Sequence, residues 1–297
     1  MTASPALAAP SAKFSDYLEL TKPRLSLLSV LTALAAYAAA RPEYSTAQLI
    51  LVAVGTSLAA GGVAVLNQWL ESDTDALMKR TADRPIPTGK VATGSAFVLG
   101  GLMCIGALFI LFSRVNYLCA GVALLTMVAY LGWYTPAKRW SRWSTEIGAI
   151  AGALPPLIGW TAAEGRVSTL GWIFFGILFF WQVPHFMAIA WTYRRDYSAV
   201  HFPMLPVRDE KGGFVAAWSL VNTLALVAVS LLPWTLGFAT AWSGGIALAG
   251  GLFFIACAVK FLPAKGRDTA ARKLFHCSIV YLPLVLGALV ADRIINF

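Results

Sequence analysis

Residues 47–75 read AQLILVAVGTSLAAGGVAVLNQWLESDTD. The first twenty, Ala47–Leu66, carry no charge. A helix needs about 20 such residues to cross a hydrocarbon core about 30 Å thick. The last nine, Asn67–Asp75, hold three acids. The stretch predicts a membrane-crossing helix whose frame continues into an acidic end.

Eight further apolar runs surround it. They are Leu25–Ala40, Thr93–Ser113, Tyr117–Tyr134, Ile147–Ala163, Leu170–Trp191, Phe214–Leu232, Phe238–Phe261 and Leu274–Ala291. The first extends back to Pro23, and only the Pro233–Gly237 turn separates the seventh span from the eighth. The expected fold is an all-α polytopic membrane protein of nine transmembrane helices. These form one domain over residues 16–297, after a disordered Ala/Pro/Ser-rich tail at 1–15. Met1–Ser11 lacks the charged start and apolar core of a signal peptide.

Composition agrees. Of 297 residues only 12% are charged and 58% are hydrophobic, with a mean hydropathy of +0.70. Soluble domains carry about 25% charge. A soluble globule of this size is excluded, and the apolar content excludes disorder. The four cysteines all lie in apolar runs without a CxxC pair, so they read as small buried hydrophobes. The net charge of +9 is mostly topological. With the N-terminus cytoplasmic, 19 of the 23 cations fall on that side. Arg41, Arg114, Arg166 and Arg293 remain outside. The bias predicts nine spans with an external C-terminus. The expected location is the inner (cytoplasmic) membrane. The longer cytoplasmic connections, about 67–92 and 192–213, hold the polar residues suited to chemistry.

Asn67, Glu71 and Asp75 stand at i, i+4 and i+8. On a helix they share one face, with Asp73 on the other side. Oxygen donors of this kind suit Mg²⁺. Arg80 and Arg84 follow, in Arg80-Thr81-Ala82-Asp83-Arg84-Pro85-Ile86-Pro87. Carboxylates that bind a metal, beside fixed cations, are what a diphosphate requires. The alternative is a solvated helix end whose acids pair with Lys79 and Arg80. No Walker-type glycine loop is present, so ATP hydrolysis is not indicated. After the sixth span comes Tyr193-Arg194-Arg195-Asp196-Tyr197. On the same membrane face, Asp196 would supply the other half of a metal–diphosphate site.

Together these motifs resemble the UbiA-type intramembrane prenyltransferases, in particular the branch that farnesylates heme. Further segments carry the resemblance: Trp181-Gln-Val-Pro184-His185-Phe186, Phe202-Pro203-Met204-Leu205-Pro206-Val207, Tyr134-Thr135-Pro136-Ala137-Lys138-Arg139 and Ala151–Trp160. It covers nearly the whole chain after Tyr17. Three departures stand out. Glu71 replaces the usual Asp, Val200-His201-Phe202 replaces small residues including a glycine, and the second motif has one acid where many relatives have two.

The resemblance implies transfer of farnesyl from farnesyl diphosphate to a vinyl group of heme B, with hydroxylation. It implies Mg²⁺ held by Asn67, Glu71, Asp75 and Asp196 as the catalytic set. Lys79, Arg80, Arg84 and Arg194 would bind the diphosphate, and His185 would contact heme. Lys138 and Arg139 are cations within reach of diphosphate or heme propionates. Membrane lipid, and a downstream heme A synthase or oxidase assembly factors, are the partners implied; nucleic acid is not. The competing readings are a quinone- or chlorophyll-type prenyltransferase, a secondary transporter and a non-catalytic heme-binding protein. Acids at one face instead of the midplane argue against transport.

Overall fold

The computed structural model describes residues 12–40 and 45–297. Met1–Ser11 of the expected tail, and Arg41 among the external cations, lie outside the described residues. Phe14 and Ser15, expected in the tail, open a helix.

Among the described residues the regular structure is helical throughout. The first elements are α1 (Phe14–Leu20), α2 (Pro23–Ala40), α3 (Thr46–Leu70), α4 (Ser72–Asp75) and α5 (Thr93–Arg114). Then come α6 (Tyr117–Val128), a π-helix at Ala129–Tyr134, and α7 (Thr135–Trp140). The middle of the chain forms α8 (Ser144–Ala153), α9 (Pro155–Glu164) and α10 (Thr169–Thr192). Two short helices follow, α11 (Arg194–Ala199) and α12 (Leu205–Arg208). The last three are α13 (Gly213–Thr235), α14 (Ala241–Phe261) and α15 (Arg267–Asn296).

Eight helical stretches among the described residues are long and apolar enough to cross a membrane. The protein is an integral, multi-pass membrane protein. The stretch expected as the fifth span, Ile147–Ala163, is instead two ten-residue helices, α8 and α9. Pro155 and Pro156 cause the break, because neither can donate a backbone hydrogen bond. End to end, two such helices reach about 30 Å at 1.5 Å per residue. The Pro233–Gly237 boundary holds, with Gly237 in left-handed backbone (φ 76) between α13 and α14. The last helix starts earlier than its apolar run, at Arg267.

Large apolar side chains face outward along the spans, as at Leu102, Ile105, Phe109 and Phe112 of α5. In water such a stripe would be costly; in a bilayer it meets its solvent. Inside, close approach depends on small residues. Gly159 of α9 is one case, since a β-carbon there would overlap the carbonyl oxygen of Ala33 on α2. At one end of the bundle, Asp292 of α15 is fully buried. Its carboxylate accepts hydrogen bonds from the Thr240 N–H (2.6 Å), the Thr240 and Ser243 hydroxyls and the Asn296 amide. A side chain of α15 thus satisfies the amino terminus of α14.

Gly159→Ala is expected to cost about 3 kcal/mol, because the opposing group is backbone and cannot rotate away. The check is thermal unfolding of the purified protein in detergent. A midpoint equal to wild type would show that α2 and α9 are not held this closely.

Candidate functional site

The acidic end of α3 keeps its frame through a break. Glu71 leaves helical geometry at φ −102 and ψ 7. Yet its N–H donates to the Asn67 carbonyl at 3.0 Å, and the Asp75 N–H donates to the Glu71 carbonyl at 2.8 Å. Asn67, Glu71 and Asp75 consequently share a face, with 1%, 6% and 1% of their surface exposed. Asp73 points the other way, to solvent. There Arg139 grips both its oxygens, at 3.0 and 2.7 Å, and holds its carboxyl below the ordinary range.

Buried carboxylates must be compensated. The partners are neither Lys79 nor Arg80. Lys138 of α7 lies 2.7 Å from Glu71, and Arg84 lies 2.5 Å from Asp75. The Glu71–Lys138 bond uses the longer reach of Glu compared with Asp. Asn67 is held through both amide atoms. Its Nδ2 donates to Thr135 Oγ1 at 3.2 Å, and its Oδ1 accepts from Lys22 Nζ at 3.1 Å. The Thr135 hydroxyl donates to the Tyr130 carbonyl, which fixes it as the acceptor for Asn67.

Each cation is placed by local structure. The π-helix before α7, a feature common near functional sites, leads into Thr135 and Lys138. Lys138 sits 4.5 Å from the centre of the Tyr134 ring. The segment bearing Arg84 is a packed loop. Ile86 and Val91 are buried against Leu20, and the Thr81 hydroxyl donates to the Asp75 carbonyl. Lys22 sits at the corner between α1 and α2 and is half-buried. Loss of hydration pulls its ammonium down to about 7, and Arg84 and Lys138 push the same way. Arg84 and Lys138 thus face the two carboxylates, and Lys22 adds a third positive charge when it is protonated.

Arg80 joins the second motif to the first. Its guanidinium donates to the Tyr197 hydroxyl at 3.0 Å and lies 5.3 and 5.4 Å from the Tyr193 and Tyr197 rings. Asp196 precedes Tyr197 on α11, half-buried and without an ion pair among the described residues. Glu71, Asp75 and Asp196 do not converge: no three His, Cys, Asp or Glu side chains among the described residues are grouped to hold a metal. Lys79 is exposed. Arg194 turns away, donating to the Trp191 carbonyl at 2.6 Å and lying 3.4 Å from Asp268. The donors are hard oxygens, as Mg²⁺ prefers, and those of the first motif are already bonded to cations. They fit a metal that arrives with phosphate oxygens, its usual company.

His185 belongs to another region. It packs between Trp181 (4.6 Å, stacked) and Phe275 (5.0 Å), and its Nδ1 lies 2.7 Å from Ser278 Oγ. Ser278 spends its one proton on the Phe275 carbonyl. Its oxygen therefore accepts from His185 Nδ1–H, which leaves Nε2 with the free lone pair.

Sequence comparison fits this geometry. The model of the UbiA prenyltransferase family matches residues 28–280. The chain belongs to the UbiA prenyltransferase family. It is accordingly a transferase. A protein of Opitutus terrae called protoheme IX farnesyltransferase is 70% identical to it, over 96% of this chain and 97% of that one. One of the same name from Solibacter usitatus is 39% identical, over 94% and 98%. Among solved structures, a digeranylgeranylglyceryl phosphate synthase superposes with a TM-score of 0.81 at 16% identity, covering 94% of this chain and 98% of that chain. A UbiA homolog from Archaeoglobus fulgidus bound to GPP and Mg²⁺ superposes at 0.65 with 14% identity, covering 92% and 99%. At these identities the structural likeness concerns the fold.

Of the residues expected from sequence, the structure gathers Asn67, Glu71, Asp75 and Arg84, with Arg80 linking the loops. It leaves Lys79, Arg194 and His185 elsewhere. Lys22 and Thr135 complete the group, and neither stood out by spacing. Lys138→Met should lower stability by about 3 kcal/mol by stranding Glu71. Adding Glu71→Gln should recover much of that loss. Unfolding of the two variants and the double variant in substrate-free detergent checks this; simple additivity would mean the pair is not coupled.

Proposed function

We propose that the chain transfers a farnesyl group from farnesyl diphosphate to a vinyl group of heme B, adding a hydroxyl and giving heme O. The observation that carries the reading is the buried cluster of paired acids and cations at the end of α3, in a chain so similar to proteins called protoheme IX farnesyltransferase. The bundle is read as one domain over residues 16–297 with nine crossings, α8 and α9 together making one. The N-terminus and the acidic cluster face the cytoplasm, the C-terminus faces outward, and the membrane is the inner one. The 19 cations placed on that side support the orientation.

In this reading Asn67, Glu71, Asp75 and Asp196 are the donors for Mg²⁺. When bound, the ion would neutralise charge on the departing diphosphate. Arg80 and Arg84 take diphosphate oxygens. Lys79 and Arg194 join only by turning inward. The bond between prenyl carbon and diphosphate oxygen breaks, and the electron pair leaves with the diphosphate. The allylic cation is attacked by the electron-rich vinyl group. Water then captures the cation beside the porphyrin and gives up a proton. Pre-placed cations lower the barrier because they need not reorganise as charge develops. His185 contacts heme, and its free Nε2 lone pair suits an axial ligand. A heme A synthase or oxidase assembly factors would receive the product.

Asp75→Ala and Asp196→Ala should each reduce heme O formation by at least about 100-fold. The assay is mass spectrometry of heme after incubation with farnesyl diphosphate and Mg²⁺. Rates like wild type would overturn the site assignment. No hydroxyethylfarnesyl product from wild type would overturn the reaction. His185→Ala should also abolish any Soret shift caused by heme binding, and persistence of the shift would exclude ligation.

A further inference from the structure

Lys22 holds a backbone conformation that its own residue type disfavours. Its φ is +46, in the left-handed region, and Pro23 follows. A side chain with a β-carbon resists that region, and a following proline restricts it further. Strain of this kind persists only where the surroundings enforce it, and it gathers at functional sites.

The surroundings do enforce it. The Lys22 N–H donates to the Glu19 carbonyl, and its carbonyl accepts from the Leu25 and Ser26 N–H groups, all at 3.0 Å. The Ser26 hydroxyl donates to the Thr21 carbonyl at 2.7 Å. Gln68 of α3 donates to the Leu20 carbonyl at 2.7 Å, docking the corner beside Asn67. The corner would form with glycine at less cost. Orientation in the membrane would be served equally by an exposed cation such as Arg24. What lysine adds at this position is an ammonium delivered to the acidic face.

That ammonium differs from its neighbours. Lys138 is bonded to Glu71 and Arg84 to Asp75. The partner of Lys22 is the neutral amide oxygen of Asn67, which uses one of three N–H donors. It is the one cation of the trio without a carboxylate. We infer that Lys22 is a diphosphate-binding residue, its free donors closing on diphosphate oxygens opposite Arg84. The inference rests on the prenyl-diphosphate reading and extends it to a residue on α1–α2, a part of the chain otherwise free of site residues. As the carbon–oxygen bond breaks and its electron pair passes to the diphosphate, Lys22 meets the rising negative charge without giving up its proton.

Lys22→Gly provides the test, because glycine suits the left-handed corner while removing the ammonium and its bond to Asn67. The probe is inorganic pyrophosphate with Mg²⁺, titrated onto purified protein in detergent. Lys22→Gly should keep the thermal midpoint of wild type or raise it. It should weaken pyrophosphate binding by about 10- to 100-fold, as expected for a hydrogen bond to a charged group. Lys22→Met should show the same loss, and serves if the glycine variant does not fold. Lys22→Arg should recover part of the affinity, and KM for farnesyl diphosphate should rise in parallel. Pyrophosphate affinity within twofold of wild type in Lys22→Gly or Lys22→Met overturns the inference alone. Failure of wild type to bind pyrophosphate overturns both the inference and the reading beneath it.

Discussion

Two carboxylates buried at the end of one membrane helix set the terms for this structure. Asp75 and Glu71 have almost no contact with solvent, so each needs a counter-charge from elsewhere in the chain. Glu71 recruits Lys138 from sixty-seven residues away, and Asp75 recruits Arg84 from the following loop. Those two bonds fix α7 and the 76–92 loop against α3. Arg80 then extends the arrangement to α11 through Tyr197. The cluster is a structural joint as well as a candidate site, and substrate binding there must compete with the ion pairs that hold it together.

The competition has a useful sign. Buried carboxylates that are paired do not repel a phosphate as bare ones would. Their cations can be shared with it, because guanidinium and ammonium groups carry more donors than one carboxylate uses. In the proposed reaction, a divalent ion entering with the diphosphate would bring its own positive charge to the acids and so free Lys138 and Arg84 for the ligand.

Much of this was legible in the sequence. Apolar run length placed the spans, and the i, i+4, i+8 spacing found the buried face because helical frame survives at Glu71. Local sequence could not reveal long-range pairing. Nothing near Glu71 announces Lys138, and nothing near Asn67 announces Lys22, since both partners are set by how helices cross. Arg194 illustrates the converse: its position in the motif suggested a ligand contact, while Trp191 and Asp268 offered it nearer partners. The stretch expected as the fifth span is two helices for a local reason, because hydropathy averages over Pro155 and Pro156 while the hydrogen-bond ladder does not. At His201 the departure from the family pattern has a visible counterpart, left-handed backbone (φ 56) of the kind glycine favours.

Asp292 has a consequence for biogenesis. The carboxylate that completes the start of α14 lies fifty-two residues further along the chain, near the end of α15. During synthesis, α14 must enter the bilayer before its cap exists. Until α15 arrives, the Thr240 donors lack their carboxylate partner and the Ser243 hydroxyl has only the Thr240 carbonyl within the helix. Seating the last helix therefore completes the start of α14, and a chain cut short of residue 292 would leave that start without its carboxylate partner.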